Sequence, residues 1–182
     1  MKVSIQKIQR QDLSFSFTEK DGWLREIANR LSKSENSPKI SAQVDLSMAG
    51  QSLQVRGSGQ ATLHNECARC LRKVENTLSP TFDLAFLPAS AKNTTRQEDE
   101  EYELDVEEIE EYTYSGDDLD LSEILNEQFV LVQPYRILCQ EDCSGICANC
   151  GANKNETKCD CTGNEGHPGF AALADLKIDK SS

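Results

Sequence analysis

Apolar and polar residues alternate along residues 39–63, whose sequence is KISAQVDLSMAGQSLQVRGSGQATL. Because the side chains of a β-strand point alternately to the two faces of a sheet, this alternation predicts strands with one buried face. A turn at Ala49-Gly50 divides the stretch in two, which predicts an antiparallel hairpin. Gly57 and Gly59 interrupt the second strand, and we interpret them as a bulge or bend.

Shorter strand patterns flank this hairpin on both sides. Short strands are predicted before it at 3–5 and 13–17, and a third alternating run follows at 74–86. Pro80 interrupts the third run, which indicates an edge strand or a bulge, because proline has no backbone N–H to donate. Together the strands predict a mainly antiparallel sheet, which could close into a barrel.

Apolar residues at helical spacing predict two helices and indicate a third. The first covers 23–31, with Asp21 in position to cap it, and the second covers 119–132 and ends before Pro134. Apolar residues at 170–176 indicate a short terminal helix. The predicted fold class is α+β, with a mainly antiparallel sheet, two or three packing helices and a cysteine-rich, zinc-binding C-terminal tail.

The net charge of −12 on the 182 residues is unevenly distributed. Residues 1–96 hold 14 Lys and Arg against 9 Asp and Glu, whereas residues 97–142 hold 1 against 17. The acidic part has few large aliphatic residues with which to offset the entropy of ordering. We therefore predict one domain in three segments: a sheet with one helix and a cysteine-bearing hairpin at 1–87, a mobile acidic excursion at 88–117, and a helix with the cysteine-rich tail at 118–182.

Several classes of protein are not expected from this sequence. It has no run of about 18 apolar residues that would predict a membrane helix, and residues 1–17 lack the apolar core of a secretory signal. These features predict a cytoplasmic protein that does not bind a membrane. The motifs GxSxG, HExxH, GxGxxG and the P-loop are absent, so we expect neither an enzyme nor a small-molecule substrate.

Eight cysteines occur in four closely spaced pairs, which predict metal sites. In a reducing compartment such thiols are more typical of metal ligands than of disulfides. We predict two structural Zn²⁺ ions in closed four-cysteine sites, which leave no open coordination position for catalysis. The preferred assignment is a long-range site of Cys67, Cys70, Cys139 and Cys143, and a local site of Cys147, Cys150, Cys159 and Cys161.

The cysteine spacing leaves other arrangements open. One metal site with four spare thiols, or an iron–sulfur cluster, would also fit the pattern. A redox pair at Cys67 and Cys70 is disfavoured, because Cys67 does not open a helix in a βαβ unit. His64 and His167 flank the cysteine groups, and either could replace a thiolate ligand.

Four motifs follow one another along the chain: Cys67-Ala-Arg-Cys-Leu71, Asp118-Leu-Asp-Leu-Ser-Glu123, Pro134, and the cysteine-rich stretch 139–161. In this order they resemble the YceD-type family of bacterial and plastid large ribosomal RNA subunit accumulation proteins. The sequence departs from that family in two places. His167-Pro168-Gly169 stands where the family usually has Asp-Pro-Arg, and Lys154-Asn155 stands where it tends to have Leu-Asn.

The resemblance implies a cytoplasmic, non-enzymatic factor needed for synthesis, processing or stability of large-subunit 23S rRNA. It also implies a genomic association with a small zinc-binding ribosomal protein of the large subunit. The chain could contact this rRNA or its precursor through Arg69, Arg72 and Lys73 beside the first cysteine pair.

The acidic residues 97–118 could instead bind a basic ribosomal protein of the large subunit. The alternative functions are a zinc-dependent protein–protein interaction module and a redox-sensing thiol protein, both unrelated to RNA.

Overall fold

The computed structural model describes residues 1–32, 38–89 and 112–161. The strands in these ranges are β1 (Lys2–Ser4), β2 (Leu13–Thr18), β3 (Lys39–Ala49), β4 (Ser52–Glu66), β5 (Lys73–Leu78), β6 (Thr81–Pro88), β7 (Tyr112–Tyr114) and β8 (Asp118–Asp120). The helices are α1 (Ile5–Ile8), α2 (Gly22–Leu31) and α3 (Leu121–Leu131). The predicted α+β class with a mainly antiparallel sheet is therefore confirmed.

The main sheet has six strands and is organised around the long strand β4. Its path is β2-β3-β4-β6-β7, and β5 also pairs with β4. The register of β4 is the same with both partners, since Ala61 faces Leu78 on β5 and Ser58 faces Thr81 on β6. Strands β5 and β6 thus form one line that Pro80 interrupts, which explains why the sequence shows a single alternating run there.

The sheet remains open, so the predicted option of a closed barrel is wrong. Its two ends are β2 and β7, and among the described residues these strands do not pair with each other. Strand β7 has only three residues and pairs with β6 in parallel. The remaining strands, β1 and β8, form a separate two-stranded sheet. Helices, rather than closure of the sheet, cover the core face.

Gly57 and Gly59 do not form the predicted bulge. Both glycines continue the β3–β4 register, where they face Val44 and Ala42. A Cβ at Gly57 would collide with the ring of Phe82, and a Cβ at Gly59 would lie 2.6 Å from Cζ of Phe129. The glycines are therefore places where two aromatic rings pack directly on the β4 backbone.

Helices α2 and α3 pack on the core face of the sheet. The apolar stripe of α2 is buried at Leu24, Ile27 and Leu31. Its cap differs from the prediction, because the Asp21 carboxylate accepts a hydrogen bond from the Thr18 backbone N–H and not from the helix. The buried side chains of α3 are Leu121, Ile124, Leu125, Gln128 and Phe129.

The acidic excursion predicted at 88–117 begins and ends within the sheets. Pro88 still belongs to β6, where it faces Tyr114 of β7. The ring of Tyr112 packs on Phe86 with ring centroids 5.1 Å apart, which gives β7 an apolar contact.

Residues 90–111, His167 and the terminal helix predicted at 170–176 lie outside the described residues. In the described ranges, no helix is long and apolar enough to cross a membrane.

Candidate metal centres

The eight cysteine sulfurs gather in two groups of four, the same two groups that the sequence predicted. Cluster 1 contains Cys67, Cys70, Cys139 and Cys143, and cluster 2 contains Cys147, Cys150, Cys159 and Cys161. Within each cluster the four sulfurs lie within 4.8 Å of one another. All eight are free thiols.

The sulfur spacing in cluster 1 suits one tetrahedral metal ion. A tetrahedron with Zn–S bonds of about 2.3 Å has edges of about 3.8 Å between its sulfurs. In cluster 1 the Cys67 and Cys143 sulfurs are 3.7 Å apart, and the Cys70 and Cys139 sulfurs are 3.6 Å apart. The donor set and its spacing therefore match a four-thiolate site.

The first half of cluster 1 is the turn between β4 and β5. The Cys67 N–H donates to the Arg72 carbonyl at 2.8 Å, and the Leu71 N–H donates to the Cys67 carbonyl at 3.0 Å. Leu71 is the one non-glycine residue of the described chain with a positive φ, at 61°. This left-handed residue reverses the chain immediately after Cys70, so that both sulfurs lie on one side of the turn.

The second half of cluster 1 arrives from the segment after α3 and is fastened to the turn by hydrogen bonds. The Ala68 N–H donates to the Ile137 carbonyl at 2.8 Å. The Arg69 guanidinium donates to the carbonyls of Cys143, at 2.8 Å, and Glu141, at 3.2 Å. Arg69 therefore joins the two halves of cluster 1 through its hydrogen bonds.

Cluster 2 is built within one loop and is more exposed than cluster 1. The Gly151 N–H donates to the Cys147 carbonyl at 2.9 Å, and Gly151 has a φ of 74°. Gly151 thus holds the same place after Cys150 that Leu71 holds after Cys70. Cys150 and Cys161 are exposed, whereas three of the four cysteines in cluster 1 are buried.

Asn155 connects the two clusters. It belongs to the loop between the two cysteine pairs of cluster 2, yet its Nδ2 donates to the Cys143 sulfur of cluster 1 at 3.4 Å. Its Oδ1 accepts a hydrogen bond from the Ser144 N–H at 2.8 Å. An N–H directed at a ligand sulfur stabilises the thiolate and orients it, so folding of the cluster 2 loop supports cluster 1.

The electrostatics of cluster 1 favour a mixture of thiolate and thiol when no cation is present. Burial raises the pKa of Cys67, but backbone N–H groups of Arg69, Cys70 and Cys139 outweigh it and lower that pKa to about 6. The Arg72 backbone N–H lowers the pKa of Cys70, but burial and the neighbouring thiols outweigh it and raise that pKa to about 12. The backbone thus stabilises the Cys67 thiolate, whereas the crowded sulfurs oppose ionisation of Cys70.

Cluster 2 shows the same division. The backbone N–H groups of Cys150 and Asn149 lower the pKa of Cys147 to about 6. The neighbouring sulfurs of Cys150 and Cys147 raise the pKa of Cys161 to about 12. Four thiolates at this spacing need a bound cation to balance their repulsion.

The three cations predicted to contact RNA have different surroundings. Arg69 bridges carbonyls as described above. Arg72 lies 3.9 Å from the Glu156 carboxylate, and a hydrogen bond to the Cys139 sulfur raises the pKa of Arg72. Lys73 lies exposed at the start of β5. His64 belongs to neither cluster in the described part of the chain.

Two surface features were not predicted from the sequence. A cleft of about 620 Å³ has Lys2, Lys7 and Arg10 on its walls, together with apolar Leu13 and Phe15 of β2. A groove of about 410 Å³ lies between the cluster 1 turn and residues 130–137, which comprise the end of α3 and the segment after it. The groove depends on contact between distant segments. The cleft is lined by residues 1–15 alone, but the relative placement of β1 and β2 is set by their pairing with β8 and β3.

These features define a class: a small α+β protein with an open, mainly antiparallel sheet and two four-cysteine clusters capable of holding metal ions. The model of the family described as "Large ribosomal RNA subunit accumulation protein YceD" matches residues 55–177, a range that contains all eight cysteines. The chain belongs to the YceD family.

Similar proteins occur in bacteria and in a plant. An uncharacterized protein of Mycobacterium leprae is 27% identical over 115 residues, which cover 63% of this chain and 48% of the relative. An uncharacterized protein of Mycobacterium tuberculosis strain H37Rv is 30% identical over 115 residues, covering 60% of this chain and 51% of the relative.

The chloroplastic "Large ribosomal RNA subunit accumulation protein YCED homolog 1" of Arabidopsis thaliana is 33% identical over 60 residues, covering 33% of this chain and 19% of the plant protein. The chain thus spans about half the length, or less, of these relatives. No solved structure matches it significantly.

Proposed function

We propose that this protein is a non-enzymatic, cytoplasmic ribosome biogenesis factor that supports synthesis, processing or stability of large-subunit 23S rRNA. The observation that carries this proposal is membership of the YceD family across residues 55–177. The name of the Arabidopsis relative, a large ribosomal RNA subunit accumulation protein, supports it.

Two structural Zn²⁺ ions, one in each cysteine cluster, stabilise the folded structure. All-sulfur tetrahedral donor sets favour zinc or iron. Sulfurs within 4.8 Å of one another fit a single ion, because a cluster of several irons would hold its cysteine ligands further apart. Four protein ligands fill the coordination sphere of each zinc and leave no position for a substrate, which supports a structural and non-catalytic role.

Direct contact with rRNA is supported by the cations that are not committed elsewhere in the fold. Lys2, Lys7 and Arg10 line one cleft, and Lys73 is exposed beside cluster 1. Cations grouped in this way can bind successive phosphates. Arg69 and Arg72 fit an internal role better, given their hydrogen bonds and ion pair.

The rRNA proposal is tested by depleting the protein in its source organism and measuring the ratio of 23S to 16S rRNA. We expect the ratio to fall and the wild-type chain to restore it. A variant with Lys2, Lys7 and Arg10 all changed to Glu should fail to restore it. Changing Lys20, Arg25 and Arg30, which are exposed on and before α2, is the matched control. An unchanged ratio after depletion would refute the proposed function.

The two alternative functions predict different experimental results. A redox-sensing thiol protein would contain reactive thiols and little metal, so metal analysis and thiol titration of the purified protein distinguish it from a zinc protein. Two zinc ions per chain with no titratable thiols would exclude thiol chemistry in the resting protein. A zinc-dependent interaction module unrelated to RNA would bind proteins while leaving rRNA levels unchanged.

A further inference from the structure

The two clusters differ in how far their cysteines are exposed to solvent. In cluster 1 three cysteines are buried and Cys139 is half-buried. In cluster 2 Cys147 is buried and Cys159 is half-buried, whereas Cys150 and Cys161 are exposed. Oxidation of cysteine thiolates follows their exposure. An oxidant that arrives from solvent therefore meets cluster 2 first.

The two exposed cysteines of cluster 2 are placed to form a disulfide with each other. The side chains of Cys150 and Cys161 are hydrogen-bonded to each other, and all sulfurs of the cluster lie within 4.8 Å of one another. A disulfide has its sulfurs about 2.0 Å apart, whereas a tetrahedral zinc site needs them about 3.8 Å apart. In cluster 2 this disulfide and a bound zinc ion therefore exclude each other.

The loop that cluster 2 closes is hydrogen-bonded to the ligand segment 143–145 of cluster 1. The Lys154 N–H donates to the Gly145 carbonyl at 2.9 Å, and the Ser144 N–H donates to Asn155 Oδ1 at 2.8 Å. Asn155 Nδ2 in turn donates to the Cys143 sulfur at 3.4 Å. The loop can orient this cluster 1 ligand only while it keeps its own shape.

The shape of this loop depends on the cysteines at its two ends. Asn153 Oδ1 orients Asn155 by accepting from its backbone N–H at 3.1 Å and from its Nδ2 at 2.7 Å. Both residues belong to the stretch 151–158, which lies between the ligands Cys150 and Cys159 and in which every residue is exposed or half-buried. Segments with few buried contacts open easily, so the metal ligands must hold this loop closed.

We propose that Cys150 and Cys161 are an oxidation site that controls how firmly cluster 1 retains its metal ion. Hydrogen peroxide converts one of the two thiolates to a sulfenic acid and releases hydroxide. The other thiolate then displaces a second hydroxide and forms the disulfide, so that the two sulfurs lose two electrons and the peroxide gains them. Two thiolates are left in cluster 2, too few to hold the ion, and Asn155 no longer orients Cys143. The inference rests on the proposed function in its zinc content alone.

The test uses the full-length zinc-loaded protein, hydrogen peroxide and a colorimetric zinc chelator. Differential alkylation followed by mass spectrometry identifies the oxidised cysteines. We expect the Cys150–Cys161 disulfide and one released zinc ion first, while Cys67 and Cys70 stay reduced. Catalase then removes the peroxide. The second zinc ion should be released about 10- to 100-fold faster than from untreated protein, the range typical for loss of a contact to a metal ligand.

Three variants separate the oxidation from its effect on cluster 1. Cys150→Ser should release the cluster 1 zinc rapidly without peroxide, because its cluster 2 is already incomplete. Asn155→Ala should form the disulfide as the wild type does, but its cluster 1 zinc should leave equally fast before and after treatment. Lys158→Ala, exposed in the same loop, is the matched control and should reproduce the wild type. Circular dichroism checks that each variant keeps its sheet.

Four results would overturn the proposal. The first is oxidation of cluster 1 cysteines before those of cluster 2. The second is a disulfide in cluster 2 that leaves release of the second zinc unchanged. The third is an Asn155→Ala protein that retains its cluster 1 zinc as the wild type does. The fourth is a protein that keeps both zinc ions in the presence of peroxide, or that binds none.

The rRNA measurement separates failure of this inference from failure of the proposed function. If depletion lowers the 23S to 16S ratio but peroxide does not act through cluster 2, the role in rRNA accumulation stands and the oxidation site fails. If peroxide releases zinc in the expected order but depletion leaves the ratio unchanged, the oxidation site stands and the proposed function fails.

Discussion

Clusters 1 and 2 contain the same four ligand atoms but have different relations to the fold. In cluster 1 the Cys67 and Cys143 sulfurs meet across 76 positions of sequence, and Cys67 is fully buried. In cluster 2 all four cysteines come from residues 147–161, and two of them are exposed. Closing a long loop removes more entropy from the unfolded chain than closing a short one. Metal in cluster 1 should therefore stabilise the whole domain, whereas metal in cluster 2 should stabilise its own loop.

The largest effect should come from removing one ligand of each cluster in turn. Structural zinc contributes about 10 kcal/mol or more to folding in model peptides, and cluster 1 joins the β4–β5 turn to the segment after α3. We expect Cys70→Ser to lose one zinc and lower the urea midpoint of the entire domain. Cys150→Ser should also lose one zinc, but the main sheet should keep its midpoint. Zinc content and urea unfolding followed by circular dichroism measure both.

An equal fall of the urea midpoint in Cys70→Ser and Cys150→Ser would contradict the distinction between the two clusters. It would mean that the cluster 2 loop is part of the cooperative core, with Asn155 as the obvious connection.

A smaller effect should follow from disturbing the helix that leads the chain into cluster 1. Alanine at Gly59 would place its Cβ 2.6 Å from the buried ring of Phe129 on α3, and overpacking of this kind costs about 1–3 kcal/mol. The shifted helix should weaken zinc retention by cluster 1 and leave cluster 2 unaffected. Urea unfolding and zinc release to a competing chelator measure these effects.

Gly22→Ala is the matched control for Gly59→Ala, because a Cβ there would have no neighbour within 4 Å. Faster zinc loss from cluster 2 than from cluster 1 in Gly59→Ala would show that α3 does not position cluster 1.

The sheet and both cysteine groups could be predicted because they depend on local regularities of sequence. Alternation defined β3 and β4, and close cysteine pairs with one long gap limited the useful groupings. The role of Gly59 could not be predicted, because Phe129 lies 70 positions further along the chain and meets it only after α3 packs on β4. A glycine within a strand has the same local sequence whether it forms a bulge or leaves room for an aromatic ring to pack on the backbone.

The interactions of Arg69 could not be predicted from the local sequence either. A cation beside a metal-binding turn could contact RNA or could hydrogen-bond to another segment of the fold. Its position in the sequence does not distinguish these two roles. The carbonyls of Glu141 and Cys143, more than 70 residues away, decide its surroundings. The cleft formed by Lys2, Lys7 and Arg10 is lined by residues 1–15 alone, but it was missed because the pairing of β1 with β8 and of β2 with β3 sets its shape.

Asn155 allows the coupling between the clusters to be measured. Asn155→Ala removes the N–H directed at the Cys143 sulfur, and loss of such a contact typically weakens metal affinity about 10- to 100-fold. We expect faster zinc release from cluster 1, although the substituted residue belongs to the cluster 2 loop. Lys158→Ala, an exposed position in the same loop, should behave like the wild type. Weakening confined to cluster 2 would show that the clusters act independently.

The smallest effect concerns the residue after the second cysteine of each CxxC turn. Both turns reverse direction there through a left-handed residue, Leu71 in cluster 1 and Gly151 in cluster 2. The left-handed conformation costs about 1–2 kcal/mol for a residue with a Cβ, and part of that gain is offset by the greater freedom of glycine in the unfolded chain. Leu71→Gly should therefore stabilise the domain by up to about 1 kcal/mol, and Gly151→Ala should weaken cluster 2 by a similar amount.

The same substitution tests why cluster 1 carries leucine at this position. If the Leu71 side chain serves only the turn, Leu71→Gly raises the urea midpoint and changes nothing else. If the side chain stabilises the domain by its packing, the midpoint falls instead, because that contribution exceeds the cost of the left-handed backbone. Urea unfolding of Leu71→Gly and Gly151→Ala beside the wild type decides between these two readings.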